Sequence, residues 1–204
     1  MEAFYRLLRS GVFIFLICLS PFIYLISTFV LQAFGSNPVE FYLFETGKAS
    51  LYMFLFVSYI NPLSLFPAFK KSCSILMKHK RMIGIACFCY AVLHFVIYIL
   101  DNSDFTLLMD NLQKPFIQIG SVAFLILIAL AVTSNKFSIR KLGSRRWKKL
   151  HRLAYLCACL LILHVVAKDK GMYDRAFIYF FPLAMLQLYR FTLYLRRNRA
   201  KKLS

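Results

Sequence analysis

Two histidines lie inside long apolar runs of the sequence, where an ionisable side chain is unusual. His94 lies in the run 82–100 and His164 lies in the run 151–167. Ionisable groups within membrane-spanning segments are rare and usually functional, because removing them from water is costly. Imidazole is also the commonest metal ligand in proteins, and imidazoles facing each other across a helix bundle can hold one haem iron between them. The two histidines therefore predict a haem site.

The elements that position these histidines follow from the composition. The chain has 204 residues, is 60% hydrophobic and has a mean hydropathy of +0.65, which is typical of a polytopic membrane protein. A helix needs about 20 apolar residues to span a bilayer. Six runs meet or approach that length, and we predict an all-α bundle of six transmembrane helices in a single domain covering 1–204, with helices at 12–34, 49–69, 82–100, 115–135, 151–167 and 176–195.

The first apolar run follows Arg6 and Arg9 and therefore resembles a signal peptide. Its apolar stretch is too long for a cleaved signal, and no clean cleavage site of small residues follows it. We expect it to be a retained signal anchor. The remaining connections are short, which excludes a soluble catalytic domain or a nucleotide-binding domain within the chain.

Basic residues concentrate at one end of the predicted helices. The formal net charge is +18, and most of the 26 lysine and arginine residues lie at the two termini and in the loops that we predict at 70–81 and 136–152. All acidic residues except Glu2 fall at the opposite ends. The positive-inside rule then places both termini in the cytoplasm. The basic excess indicates topology and contact with anionic lipid of the bilayer, and we expect no nucleic-acid binding.

This topology gives each histidine a depth. Measured from the midpoints of their runs, His94 and His164 lie roughly 5 and 8 Å toward the outer side. The two levels agree well enough for one iron. The alternative is that each imidazole only forms a hydrogen bond to the backbone of a neighbouring helix.

Two further histidines lie near the cytoplasmic ends of the helices. His151 is about 20 Å below His164, where it is a candidate ligand of a second haem. The spacing leaves its role open, because the two rings point in different directions on an ideal helix. A partner at that level on the third helix would lie near Arg81. His79 is close, but it lies among basic residues, which favours a solvated loop histidine.

The remaining candidates carry less chemistry. The six cysteines have no zinc or iron-sulfur spacing, and we expect most of them to be small packing residues. Gly84 and Gly120 are candidates for the close approach of a macrocycle or of a second helix. Arg190 interrupts the sixth run near its inner end. We find no nucleophile-base pair, no carboxylate dyad and no internal repeat in the sequence.

A set of short motifs in a fixed order resembles a known family. The chain is similar to the haem-binding membrane subunits of periplasmic protein-methionine-sulfoxide reductase systems, within the ferric-reductase-like transmembrane superfamily. The resemblance covers about 36–195, and one position departs from it, because several relatives have a histidine where this chain has Phe44. The motifs are Asn37-Pro38-Val39-Glu40, Thr46-Gly47, Lys80-Arg81-Met82-Ile83-Gly84, Leu93-His94, Ala129-Leu130-Ala131-Val132-Thr133-Ser134, Arg140-Lys141-Leu142-Gly143, Trp147, Leu150-His151, Tyr155 and His164.

The resemblance implies a function that the composition alone does not. Such subunits lie in the bacterial inner membrane and accept electrons from quinone or from a cytoplasmic flavin reductase. They pass the electrons through b-type haem to a periplasmic molybdopterin enzyme that reduces methionine sulfoxide. The family also implies FMN. The ligands that it transfers to this chain are His94 and His164, with His151 either at a second haem or at the electron-entry side.

Two alternatives stay open at this stage. The chain could be the transmembrane core of a ferric-chelate or oxygen reductase, whose flavin domain would then be a separate protein. It could also be a haem-free transporter or scaffold in which the histidines only join helices by hydrogen bonds.

Overall fold

The computed structural model describes residues 2–102, 104–168 and 173–203, and this part of the chain is helical with no strand. Pro38 and Pro115 each begin a helix, at a first-turn position where the missing N–H costs no helical hydrogen bond. The helices are α1 (Glu2–Arg9), α2 (Gly11–Val30), α3 (Pro38–Leu63), α4 (Pro67–Leu76), α5 (Lys80–Asp101), α6 (Phe105–Leu112), α7 (Pro115–Val132), α8 (Lys136–His151), α9 (Leu153–Lys168) and α10 (Tyr173–Leu203).

Five helical segments in the described part of the chain are long and apolar enough to cross a membrane. They correspond to the first, third, fourth, fifth and sixth predicted spans. The segments are Gly11–Val30, Lys80–Asp101, Pro115–Val132, Lys136–Lys168 and Ala176–Arg196.

The second predicted span, 49–69, differs from the structure in both of its bounds. The helix α3 begins eleven positions earlier, because the side chain of Asn37 caps it by accepting a hydrogen bond of 3.2 Å from the backbone N–H of Glu40. It ends at Leu63, and a separate helix, α4, begins at Pro67. The first turns of α3 are polar and have low hydropathy. A prediction from the apolar run alone therefore places the start of this helix too far along the chain.

The basic segments that the sequence predicts as loops are largely helical. The segment 70–81 contains most of α4, and 136–152 is almost entirely α8. The side chain of Asn135 caps α8 by accepting a 2.7 Å hydrogen bond from the N–H of Ser138. Gly143 interrupts α8 with φ 75° and ψ 150°, a left-handed backbone that favours glycine. Both helices are rich in basic residues, and the apolar part of the segment Lys136–Lys168 is α9 rather than α8.

Two helix pairs, α3 with α5 and α7 with α9, form the centre of the bundle. Small side chains allow close approach of helices within a membrane, where apolar lipid competes with apolar packing. The buried cluster between the four helices includes two alanines and two cysteines: Phe54, Cys87, Ala91, Ala123, Leu127 and Cys157. The helix α2 packs on α5, and α10 packs on α3 and α9.

A proline inside α2 is supported by a tyrosine from α5. Pro21 has no N–H, and the carbonyl of Ile17 instead accepts a hydrogen bond of 2.8 Å from the Ser20 hydroxyl. One residue further on, the hydroxyl of Tyr90 donates to the carbonyl of Cys18 at 2.8 Å and accepts from the N–H of Phe22 at 3.0 Å. Tyr90 thus completes the backbone hydrogen bonding of α2 at its proline.

Candidate functional site

The imidazole rings of His94 and His164 face each other between the two central helix pairs. Their ring centroids are 6.5 Å apart and their planes are at 88° to each other. His94 lies on α5 and His164 lies on α9, and both side chains are half-buried. The structure thus brings together the two histidines that the sequence singles out.

Each ring is fixed by a backbone carbonyl of the paired helix. The Nδ1–H of His94 donates to the carbonyl oxygen of Leu43 on α3 at 2.8 Å, and the Nδ1–H of His164 donates to that of Phe116 on α7 at 2.7 Å. A carbonyl oxygen only accepts, so the proton of each neutral ring must be on Nδ1. The lone pair of each ring is therefore on Nε2, where a metal can bind.

A glycine makes room for each ring. A β-carbon on Gly47 would lie 2.9 Å from Nδ1 of His94, and a β-carbon on Gly120 would lie 2.7 Å from both Nδ1 and Cε1 of His164. Such distances are well below van der Waals contact, so any larger residue would displace the ring. The glycines lie one turn after the accepting carbonyls of Leu43 and Phe116, which lets each ring reach its acceptor.

The two halves of the site have the same local design. In each half the histidine bonds to a carbonyl on the paired helix and lies over the glycine four positions later. Seven residues before each histidine is a buried cysteine: Cys87 donates to the carbonyl of Ser50 at 3.3 Å, and Cys157 to that of Ala123 at 3.8 Å. The sequence shows no internal repeat, yet the helix pairs α3–α5 and α7–α9 form one.

The geometry of the pair fits a haem iron. A metal bound at about 2 Å by one nitrogen of each ring would separate two ring centroids by roughly 6 Å, close to the 6.5 Å that the structure shows. No cluster of three or more metal-binding side chains exists among the described residues. Two imidazoles alone do not complete the coordination of iron, whereas a macrocycle with four nitrogens does.

His151 lies in a separate cluster at the end of α8. Its Nε2 is 3.3 Å from the hydroxyl of Thr133, and its ring lies 4.0 Å from that of Trp147, centroid to centroid. The indole N–H of Trp147 donates to the carbonyl of Thr133 at 2.9 Å. In the part of the chain that the structure describes, no ring contact or hydrogen bond joins His151 to another histidine.

The other candidates fall outside the site. His79 lies in the turn between α4 and α5, as the sequence predicts, and it is half-buried beside Gly11. A β-carbon on Gly84 would meet no described atom within 4 Å, so this glycine serves no close approach, unlike Gly120. Arg190 donates to the hydroxyl of Tyr155 at 3.3 Å, between α10 and α9.

Sequence comparison independently points to the same class of membrane protein. The family model described as "Ferric reductase like transmembrane component" matches residues 46–163. That range includes His94 and both glycines beside the rings, and it ends one residue before His164.

Several named relatives match over most of the chain. The protein-methionine-sulfoxide reductase heme-binding subunit MsrQ of Ralstonia nicotianae is 33% identical over 86% of this chain and 80% of its own length. The subunit of that name from Rhodospirillum rubrum is 32% identical over 96% of this chain and 92% of its own length. The magnetosome protein MamZ of Magnetospirillum gryphiswaldense is 34% identical over 87% of this chain but only 28% of its own length. No solved structure was found to match the chain.

Proposed function

Because the chain belongs to the ferric-reductase-like transmembrane family, and within it to the MsrQ haem-binding subunits, we propose that it holds a b-type haem between His94 and His164. Membership of this family supports a role in membrane electron transfer. The haem, when bound, supplies the reversible one-electron exchange that this role needs. The observation that carries the proposal is the facing pair of rings, 6.5 Å apart, each with its Nδ1 engaged by a carbonyl and its Nε2 left to bind a metal.

The residues around the rings hold them ready for iron. The carbonyls of Leu43 and Phe116 keep the proton of each ring on Nδ1 and fix its orientation, as outer hydrogen-bond partners do in other metal sites. Gly47 and Gly120 allow that approach. Since each helix pair supplies one ligand with its own support, the iron would join the two halves of the bundle.

We propose that electrons cross the bacterial inner membrane from the cytoplasmic side outward. The donor is quinone or a cytoplasmic flavin reductase, and the acceptor is a periplasmic molybdopterin enzyme that reduces methionine sulfoxide in oxidised proteins. The names of the MsrQ relatives support a methionine-sulfoxide reductase as the acceptor, and the basic segments support which side of the membrane is cytoplasmic. FMN is part of the proposal through the family resemblance alone.

In this proposal α3 is a sixth span and both termini are cytoplasmic. Its polar start does not exclude insertion, because Glu45 and Lys48 form an ion pair with each other and thereby reduce the cost of burying two charges. With six spans, the basic helices α4 and α8 lie on the cytoplasmic side together with the termini.

His151 belongs to the cytoplasmic side in this arrangement. Its contacts with Thr133 and Trp147 lie at the α7–α8 junction, beside the basic residues of α8. We propose that it lies at the electron-entry side, where a second haem is the alternative role.

Electron transfer itself tests the function. The purified protein in proteoliposomes would be reduced with a quinol, or with flavin reductase and NADH, and its absorbance followed after the methionine-sulfoxide reductase and methionine sulfoxide are added. We expect rapid reoxidation that the His94→Ala variant cannot support. Reoxidation by a ferric chelate but not by the reductase would replace the proposal with the ferric-reductase alternative.

A further inference from the structure

Two polar side chains lie one helical turn beyond the two histidines. Tyr98 follows His94 by four residues on α5, and Lys168 follows His164 by four residues on α9. A spacing of four places each side chain on the same helix face as its histidine, about 6 Å further along the axis. Both helices run outward in the proposed topology, so the two groups lie on the outer side of the ring pair.

The hydroxyl of Tyr98 is buried and has no hydrogen-bond partner among the described residues. A buried hydroxyl without a partner costs about 1–3 kcal/mol, which makes such groups rare. Asp101, on the same helix, is near enough for its charge to act on Tyr98, but it does not bond to the hydroxyl. The Tyr98 hydroxyl is thus an available donor beside the site.

The ammonium of Lys168 brings a positive charge to the same level. Lys168 is exposed at the end of α9, and its charge lies within electrostatic range of both His94 and His164. Within the described part of the chain, no carboxylate lies within 4 Å of it. A cation and a hydroxyl donor at one level, neither paired with a carboxylate there, provide a site for an anion with oxygen acceptors.

We propose that Tyr98 and Lys168 bind a carboxylate of the group held between the histidines, namely a haem propionate. The inference rests on the proposed function. A haem carries its propionates on one edge, and if that edge were directed outward the propionates would lie at the level of these two side chains. The negative charge of Asp101 would repel the propionate, and the positive charge of Lys168 would offset that repulsion. Tyr98 would donate a hydrogen bond to the propionate.

Haem and haem dimethyl ester are the probes that test this proposal. Both bind through the iron, but the ester has no free carboxylate. The full-length protein, produced without haem supply and purified in detergent, would be titrated with each probe and followed by its absorbance. We expect the unmodified protein to bind haem roughly tenfold more tightly than the ester, the value of one charge-assisted hydrogen bond.

The variants assign that preference to the two residues. In the double variant Tyr98→Phe, Lys168→Met the preference should disappear while ester binding stays unchanged, and Lys168→Arg should retain it. Tyr59→Phe is the matched control, because its hydroxyl donates to the carbonyl of Tyr179 far from the site. Equal affinities in the unmodified protein, or a preference that survives the double variant, would overturn the proposal.

The outcomes also separate this inference from the proposed function. If the unmodified protein binds neither probe, then the haem site itself is wrong. If it binds both equally, then the haem site stands and the carboxylate site is wrong. Misfolding of the Tyr98→Phe substitution is not expected to cause the lost preference, because removing an unpartnered hydroxyl should not lower the thermal stability of the haem-free protein. A thermal unfolding measurement checks this.

Discussion

Gly120 and the ring of His164 lie so close that a single added carbon would disturb them. A β-carbon at Gly120 would be 2.7 Å from two ring atoms of His164, and Gly47 has the same relation to His94 at 2.9 Å. The glycines therefore belong to the site although they contribute no ligand. They leave the space in which each helix pair positions its imidazole ring.

Gly120→Ala should lose haem without unfolding the protein. The methyl group displaces the His164 ring and breaks its hydrogen bond to Phe116, so the iron loses a positioned ligand. The affinity of the haem-free variant for haem, measured by titration and absorbance, should fall about tenfold, the equivalent of one lost hydrogen bond.

Gly84→Ala is the matched control for that prediction, because no described atom outside its own stretch of helix lies within 4 Å of the position that its β-carbon would take. It should keep its haem, and its helix should gain up to about 1 kcal/mol from the replacement of glycine by alanine. Equal haem loss in the two variants would mean that glycine flexibility, rather than space for the ring, is what the site requires.

Tyr90→Phe should destabilise the protein and leave its haem spectrum unchanged. The variant leaves the carbonyl of Cys18 and the N–H of Phe22 without their partner, at a cost of about 1–3 kcal/mol. The midpoint of SDS-induced unfolding in mixed micelles measures the change. Tyr194→Phe, at an exposed residue of α10, is the control and should unfold like the unmodified protein; an equal loss in both would refute the role of Tyr90.

His151→Ala should keep the haem that is bound between the other two histidines. The contacts of His151 are with Thr133 and Trp147, at a different level of the bundle. The spectrum and the haem count of the variant test this expectation together. Loss of all haem would contradict it, whereas loss of half would assign His151 to a second haem.

Labelling from the two sides of the membrane tests whether α3 is a span. Ser36 precedes α3 and Lys70 lies beyond it on α4, and both are exposed. In intact cells, a membrane-impermeant maleimide should label Ser36→Cys but not Lys70→Cys, relative to the unmodified chain. Labelling of Lys70→Cys without permeabilisation would show that α3 does not cross.

The spans are most predictable from sequence where apolar residues alone determine the helix. The bounds of α5, α7 and α9 lie within a few residues of the runs, since a bilayer requires about 20 apolar residues whatever their order. For α3 the predicted bounds are wrong, because its first turns are polar and its start depends on the Asn37 cap. The loops predicted at 70–81 and 136–152 are also wrong, because a high density of charge does not by itself exclude a helix, as α4 and α8 show.

The site is predictable only in part. A histidine within an apolar run is visible in the sequence, so His94 and His164 can be chosen without a structure. The supports of the rings cannot be found that way, because they depend on which residue of α3 or α7 lies opposite each histidine. From the sequence, Gly120 can be chosen as a site of close approach, but the sequence does not show that its neighbour is an imidazole. Gly47 stands out in the sequence only as part of a motif.

The reduced-minus-oxidised absorbance spectrum, with haem counted per chain, shows whether His94 and His164 hold one iron between them. It would be recorded for the unmodified protein beside His94→Ala, His164→Ala and His79→Ala, the last of which changes a histidine outside the site. We expect a b-type spectrum that disappears in the first two variants and persists in the third, because one iron needs both rings. An unchanged spectrum in either His94→Ala or His164→Ala, or no haem in the well-folded unmodified protein, would contradict the paired ligation.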